Sequence, residues 1–197
     1  MNVLPSAASC ERNREPILQV LRAHLAACPQ VLEIGSGTGQ HAVHFAAAMP
    51  WLQWRTSDRA DYLPGIRAWL EHAALPNTPA PLELDVAIGP WPTQRFDAAF
   101  TANSLHIMGW AEVQAFFAGL GKVLAERSTL VVYGPFNYGR AFTSASNRDF
   151  DASLRARDPR MGLRDFEAVD ALARGIGLAL VEDGDMPANN RCLVWRR

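Results

Sequence analysis

Residues 31–41 read Val-Leu-Glu-Ile-Gly-Ser-Gly-Thr-Gly-Gln-His. Gly35, Gly37 and Gly39 alternate behind the acid Glu33, with Ser36 between the first two. Glycine takes positive φ and lets a ligand approach bare main chain. The free N–H groups opening a helix beyond such a turn make a polar, slightly positive seat. A second set of groups lies downstream. Asp58 stands about 20 residues past the glycine turn, where a carboxylate can accept from both ribose hydroxyls. Asn103 and His106 follow the fourth apolar segment, and Tyr133 ends the fifth. In an open α/β sheet ligands bind outside the carboxyl ends of the strands, so these residues share one edge. His106 is the best-placed general base there and Tyr133 the second.

Two other nucleotide patterns fail. A dinucleotide fingerprint needs a glycine at position 40, where this chain has Gln40. A P-loop needs Gly-Lys-Ser/Thr; the one lysine, Lys122, follows Gly121 but precedes Val123. His41 and His44 share a helix without a third ligand or an H-E-x-x-H pattern, so no metal is expected and packing is their expected role.

The elements that must position these groups alternate in type. A helix is expected after Pro16, with Ile17, Leu18, Val20, Leu21 and Leu25 on its apolar face. Strand 31–34, helix 40–49, strand 52–57 and helix 63–72 follow, the last capped by Asp61. Strand 82–84 leads into Asp85-Val86. Strand 96–101, a helix carrying Val113, Phe116, Phe117, Leu120, Val123 and Leu124, and strand 129–133 come next. The polar segment 137–162 is too long for an ordinary loop. It reads as an ordered lid with a short helix, anchored by Phe142, Phe150, Leu154 and Met161. Helix 165–174 and strands 178–182 and 192–195 complete an α/β order.

The chain has 197 residues and a hydrophobic fraction of 49%, enough for one domain with a real core. A formal net charge of −1 gives no overall pull toward nucleic acid or an anionic membrane. Cys10, Cys28 and Cys192 are widely spaced, without a C-x-x-C pair. No stretch of residues 1–14 has signal-peptide character and no apolar run spans a bilayer, so a reducing cytoplasmic setting is expected.

Glu33-Ile34-Gly35-Ser36-Gly37-Thr38-Gly39 resembles the first motif of class I methyltransferases that use S-adenosylmethionine (SAM). The resemblance implies a Rossmann-like three-layer sandwich: a mostly parallel seven-stranded sheet with an antiparallel last strand. It implies that Glu33, Gly35, Ser36, Gly37, Gly39, Asp58, Asp85, Val86 and Asn103 hold the cofactor, with Asp85 accepting from the adenine amino group.

Five further stretches resemble, across essentially the whole chain, a family of small methyltransferase-like proteins catalogued as a domain of unknown function. They are residues 11–17, 103–107, 133–137, 146–151 and 186–190. On sheet-edge grounds Arg12, Asn13, His106, Tyr133, Asn137, Asn147, Arg148 and Asn190 are expected to line an acceptor pocket. Local roles compete: Arg148 can pair with Asp149 or Asp151, and Asn190 can simply make a turn. The expected activity is in-line methyl transfer to a small-molecule polar acceptor, with no nucleic-acid or membrane partner. The competing reading is a non-catalytic SAM-binding partner subunit.

Overall fold

The computed structural model describes residues 4–197; residues 1–3 of the expected N-terminal segment lie outside the described residues. Elements run α1 (Ala8–Leu25), β1 (Gln30–Ile34), α2 (Gln40–Ala48), β2 (Gln53–Asp58), α3 (Leu63–Ala73) and β3 (Leu82–Glu83). Then come β4 (Phe96–Ala102), α4 (Trp110–Val123), β5 (Leu124–Gly134), β6 (Phe136–Asn137) and α5 (Ala145–Arg157). The chain ends with β7 (Arg164–Asp165), α6 (Phe166–Gly175), β8 (Ala179–Met186) and β9 (Asn190–Arg196).

Seven strands form one sheet in the order β3-β2-β1-β4-β5-β9-β8. Pairings from β3 to β5 are parallel, and β9 runs antiparallel to both β5 and β8. Successive side chains of a strand point to opposite faces, and the core divides accordingly. Val31, Ala98, Phe100 and Val131 pack with Ile17 and Leu21 of α1 and Phe45 of α2. Leu32, Ala99, Leu130 and Val132 pack with Phe116 and Phe117 of α4 and Val169 of α6. The result is the expected three-layer sandwich, with the carboxyl ends of β1–β5 along one edge. No described helix is long and apolar enough to cross a membrane.

Several local expectations are corrected. α1 begins at Ala8, and Pro16 sits inside it. The turns before the proline are held from outside the helix: Asn13 is buried against His41, and Glu11 accepts from Gln40 Nε2 at 3.2 Å. Asp61 does not cap α3; it lies in a single 3-10 turn, Ala60–Tyr62, and α3 starts without a side-chain cap.

The insertion differs most. Its helix is 13 residues long, and of the four expected apolar anchors only Leu154 is fully buried. Phe142 and Phe150 are exposed at 41% and 38%. Polar groups do the anchoring. Asp151 accepts the Leu163 N–H at 2.7 Å and Arg155 Nε at 2.7 Å. Arg164 donates to the Leu105 and Arg160 carbonyls at 3.0 and 2.9 Å, and to Met108 O. β6 and β7 pair as a separate two-stranded sheet and tie the neck of the insertion.

Replacing Asp151 leaves the buried Leu163 N–H without an acceptor, which costs about 1–3 kcal/mol. Asp151→Ala is therefore expected to lower stability by that amount in chemical denaturation. Limited proteolysis should then cut first within residues 137–162, while Asp151→Asn recovers part of the loss.

Candidate functional site

β1 ends by turning sharply, and the turn is possible because of its glycines. Gly35 has φ +75°, and a Cβ there would stand 2.6 Å from Ser104 Oγ. Gly37 has φ +58°, with nothing within 4 Å of a would-be Cβ. Its open side faces a cavity of about 250 Å³, whose walls include Gly35, Gly37, Asp58, Asp85, Val86 and Asn103. Gly39 has a different job. It opens α2 at φ +91°, and a Cβ there would come within 3.1 Å of Ile66 and 3.2 Å of Trp69. It serves helix packing and does not line the cavity wall.

Asp58 accepts the Gly37 N–H at 2.8 Å on Oδ2 and the Arg59 N–H at 2.8 Å on Oδ1. Burial pushes its carboxyl above the usual range, and the two amides pull the other way. Each oxygen keeps a second acceptor site for a ligand. Asp85 accepts the Ala87 N–H at 2.8 Å and keeps the same capacity.

Glu33, expected at the cofactor, lies behind the turn, buried, and lines none of these walls. Its Oε2 accepts Ser36 Oγ–H at 3.0 Å and the Trp54 indole N–H at 2.9 Å. Burial pushes its pKa up to about 7, against those two hydrogen bonds. Ser36 turns toward Glu33 and also borders a side cavity beside α1.

Asn103 has φ +57°, a conformation asparagine tolerates better than most residues. Its N–H still bonds to Tyr133 O at 2.8 Å, so β4 pairs with β5 up to the point where the chain kinks. Asn103 borders both the first cavity and a second of about 610 Å³. Arg12, Asn13, His106, Tyr133, Asn147 and Asn190 line the second.

The other two expected acceptor residues are placed elsewhere. Asn137 is buried in β6, where strand pairing takes its backbone and its Oδ1 has no partner among the described residues. Arg148 is exposed and pairs with Asp149 at 3.5 Å. Asn147 and Asn190 reach the wall with their amides already engaged. Asn147 Nδ2 donates to Thr143 Oγ1 and Asn189 O, and Asn190 Nδ2 donates to Pro187 O.

His41 has a polar role that spacing did not reveal. Its Nε2 lies 2.7 Å from Asn13 Oδ1 and its Nδ1 lies 3.9 Å from Cys10 Sγ. An amide oxygen only accepts, so the proton is on Nε2 and Nδ1 faces the thiol. Burial lowers the His41 pKa to about 4, so the ring is neutral. This fixes Asn13, which lines the second cavity beside Tyr133. His106 is buried under Phe150, ring centroids 5.2 Å apart and nearly perpendicular. Burial, then the charges of Arg164 and Arg157, lower its pKa to about 4. The edge therefore presents neutral acceptors beside a glycine cradle and two acids.

The family model described as "Protein of unknown function (DUF938)" matches residues 4–197. Among solved structures, the chain is similar to an O-methyltransferase family protein from Burkholderia thailandensis. There the TM-score is 0.82 and the identity 15%, over 93% of this chain and 55% of that one. It is also similar to an O-methyltransferase family 2 protein from Planctomyces limnophilus, solved with apigenin. That match has TM-score 0.81 and identity 15%, over 94% and 57% of the two chains. Human N-acetylserotonin methyltransferase in complex with SAM gives TM-score 0.80 and identity 13%, over 96% and 52%. This chain thus spans about half the length of the structures it matches, and the likeness is one of fold.

The buried titratable groups make stability pH-dependent in a way one substitution can separate. His41 and His106, with ordinary values of 6.5, stay neutral when folded down to about pH 4. Below pH 6.5 each therefore costs stability at up to about 1.4 kcal/mol per pH unit, because only the unfolded chain takes up the proton. Glu33 has the opposite sign. Raised from 4.5 to about 7, its contribution is full below pH 4.5 and is lost as the pH rises through 7. Between pH 5 and 6 it offsets one histidine. Glu33→Gln should steepen the fall of stability on acidification by about 1.4 kcal/mol per pH unit in urea titrations. An unchanged slope would assign Glu33 an ordinary pKa.

Proposed function

The chain belongs to the DUF938 family, and we propose that it is a SAM-dependent methyltransferase acting on a small polar acceptor. The observation that carries the reading is that two cavities share Asn103 as a common wall. One presents bare glycine main chain and two separated carboxylates. The other presents a neutral imidazole and a phenol.

The fit to the donor follows from the chemistry of the walls. Gly35 and Gly37 leave room for a ligand against the backbone, and the space over Gly37 is open. Asp58 would accept from the ribose hydroxyls and Asp85 from the adenine amino group, with Val86 beside the base. When bound, SAM supplies an activated methyl group: the acceptor lone pair bonds the methyl carbon, the carbon–sulfur pair stays on sulfur, and the acceptor proton leaves to a base.

The chain's own work is positioning, exclusion of water and proton transfer. Neutral His106 can take a proton from a hydroxyl or amine at its own edge. Tyr133, on the same wall as Asn13, can orient the acceptor oxygen or nitrogen. The insertion acts as a lid, with Phe150 over His106. These roles, like the intracellular small-molecule setting, belong to the proposal.

Calorimetric titration tests it directly. SAM and S-adenosylhomocysteine are expected to bind and NAD not to. Asp58→Asn and Asp85→Asn should each weaken donor binding about tenfold, as loss of a charge-assisted hydrogen bond does. Gly37→Ala should weaken it further, since the new methyl group occupies the open space of the cradle. Exclusive binding of NAD, or no nucleoside binding at all, would sink the reading.

A further inference from the structure

The acceptor-side cavity of about 610 Å³ is lined by one permanently charged side chain, the cation Arg12, and by no carboxylate. Arg12 is exposed and makes no ion pair or hydrogen bond among the described residues. The acids near it along α1 are engaged elsewhere. Glu11 pairs with Arg14 at 2.9 Å, and Glu15 lies 4.0 Å from the same guanidinium. The guanidinium is therefore available, with five donors and no internal acceptor.

Two helices open at the same wall. Ser9 lies in the first turn of α1, and Ser146 and Asn147 in the first turn of α5; all three line the cavity. Helix starts carry positive partial charge and favour anions. Facing them is a buried group without a partner. His106 is 93% buried by its 7% exposure, lines the cavity, and neither ring nitrogen is hydrogen-bonded within the described residues. The remaining polar wall, Asn13, Asn103, Tyr133, Asn189 and Asn190, is neutral.

A neutral acceptor would leave this cation, the uncapped start of α1 and the α5 amides that Ser144 does not cap unanswered. We infer that the methyl acceptor is a small acid, its carboxylate or phosphate seated on Arg12 and the opening turns of α1 and α5, its hydroxyl or amine facing His106. The inference rests on the methyltransferase reading and names the substrate class for that site. Guanidinium and carboxylate or phosphate match as a planar, two-pronged pair, which sets the orientation of the rest of the molecule. Arg148 takes no part, since it lies on the outer face of α5.

The test uses three probes on the whole protein saturated with S-adenosylhomocysteine: inorganic phosphate, glutarate and its neutral diamide. Calorimetry should show at least one anion binding tenfold or more tightly than the diamide, and weakening with added salt. Arg12→Gln should abolish that preference and Arg12→Lys retain part of it. Phosphate ahead of glutarate points to a phosphate ester, and the reverse order to a carboxylic acid. Equal or undetectable binding of the anions and the diamide overturns the inference. Donor binding is read separately on the same protein. Anion preference without donor binding overturns the methyltransferase reading and upholds the anion seat; donor binding without anion preference overturns the acid acceptor alone.

Discussion

The end of β1 is stitched to the end of β2, and the whole edge depends on that seam. The Gly35 and Ser36 amides both donate to Ser57 O, at 3.0 and 3.1 Å. The Ser57 amide donates back to Ser36 Oγ at 3.2 Å, and its hydroxyl to Glu33 O at 2.7 Å. Ser36 Oγ–H reaches Glu33 Oε2, and the Gly37 amide reaches Asp58. A turn with three residues at positive φ has little conformational preference of its own. Here nearly every polar group at its base has a partner across the seam, so the cradle is held from below while its upper side stays bare. Glu33 therefore belongs to the foundation. An acid in this place accepts from Ser36 and Trp54 at once, which a hydrophobic residue of the same size cannot do.

That seam also explains which parts of the molecule were legible in the sequence. Strands with one apolar face, the glycine turn and the acids at the strand ends are local patterns, and the sheet order follows from alternating strands and helices. Contacts between distant segments leave no such trace. Asn13 and His41 are 28 positions apart, and either residue alone reads as solvated or as ordinary helix. Gln40 is a sharper case. It breaks the dinucleotide pattern, and its side-chain oxygen accepts the Ala7 N–H at 2.6 Å while its nitrogen donates to Glu11. The residue at the missing third glycine ties the start of α1 to α2. That tie carries Arg12 and Asn13 to the cavity.

The anchoring of the insertion departs from the sequence expectation for a related reason. Apolar residues in a long polar segment suggest anchors, because burial is the usual source of cohesion. Here a buried carboxylate and a buried guanidinium divide that task. Asp151 takes backbone from residue 163, and Arg164 gives to three carbonyls on two segments. Phe142 and Phe150 are thereby left near the surface, where they can contact a ligand. Hydrogen bonds fix direction as well as proximity, so this cover has a defined position over the edge. Asn137 and Arg148 missed the cavity because neither composition nor spacing shows which side of α5, or of the β6–β7 neck, looks inward.

The protonation state of His106 is a consequence of the same architecture. Its carbonyl accepts the Gly162 N–H at 2.9 Å, its ring lies beneath Phe150, and Arg164 holds the flanking carbonyls of Leu105 and Met108. Every one of these contacts comes from the insertion or its neck. Without them the ring would face water, and its pKa would return toward the ordinary value near 6.5. With them it is desolvated next to two arginines and stays unprotonated throughout the neutral range, at the cost of a lower basicity. In the proposed reaction a charged imidazole at this edge would repel the cationic donor and could not take a proton. The insertion that covers His106 thus also keeps its ring neutral. The cover and the protonation state are in this way set by one element, so a change that loosens α5 alters both together.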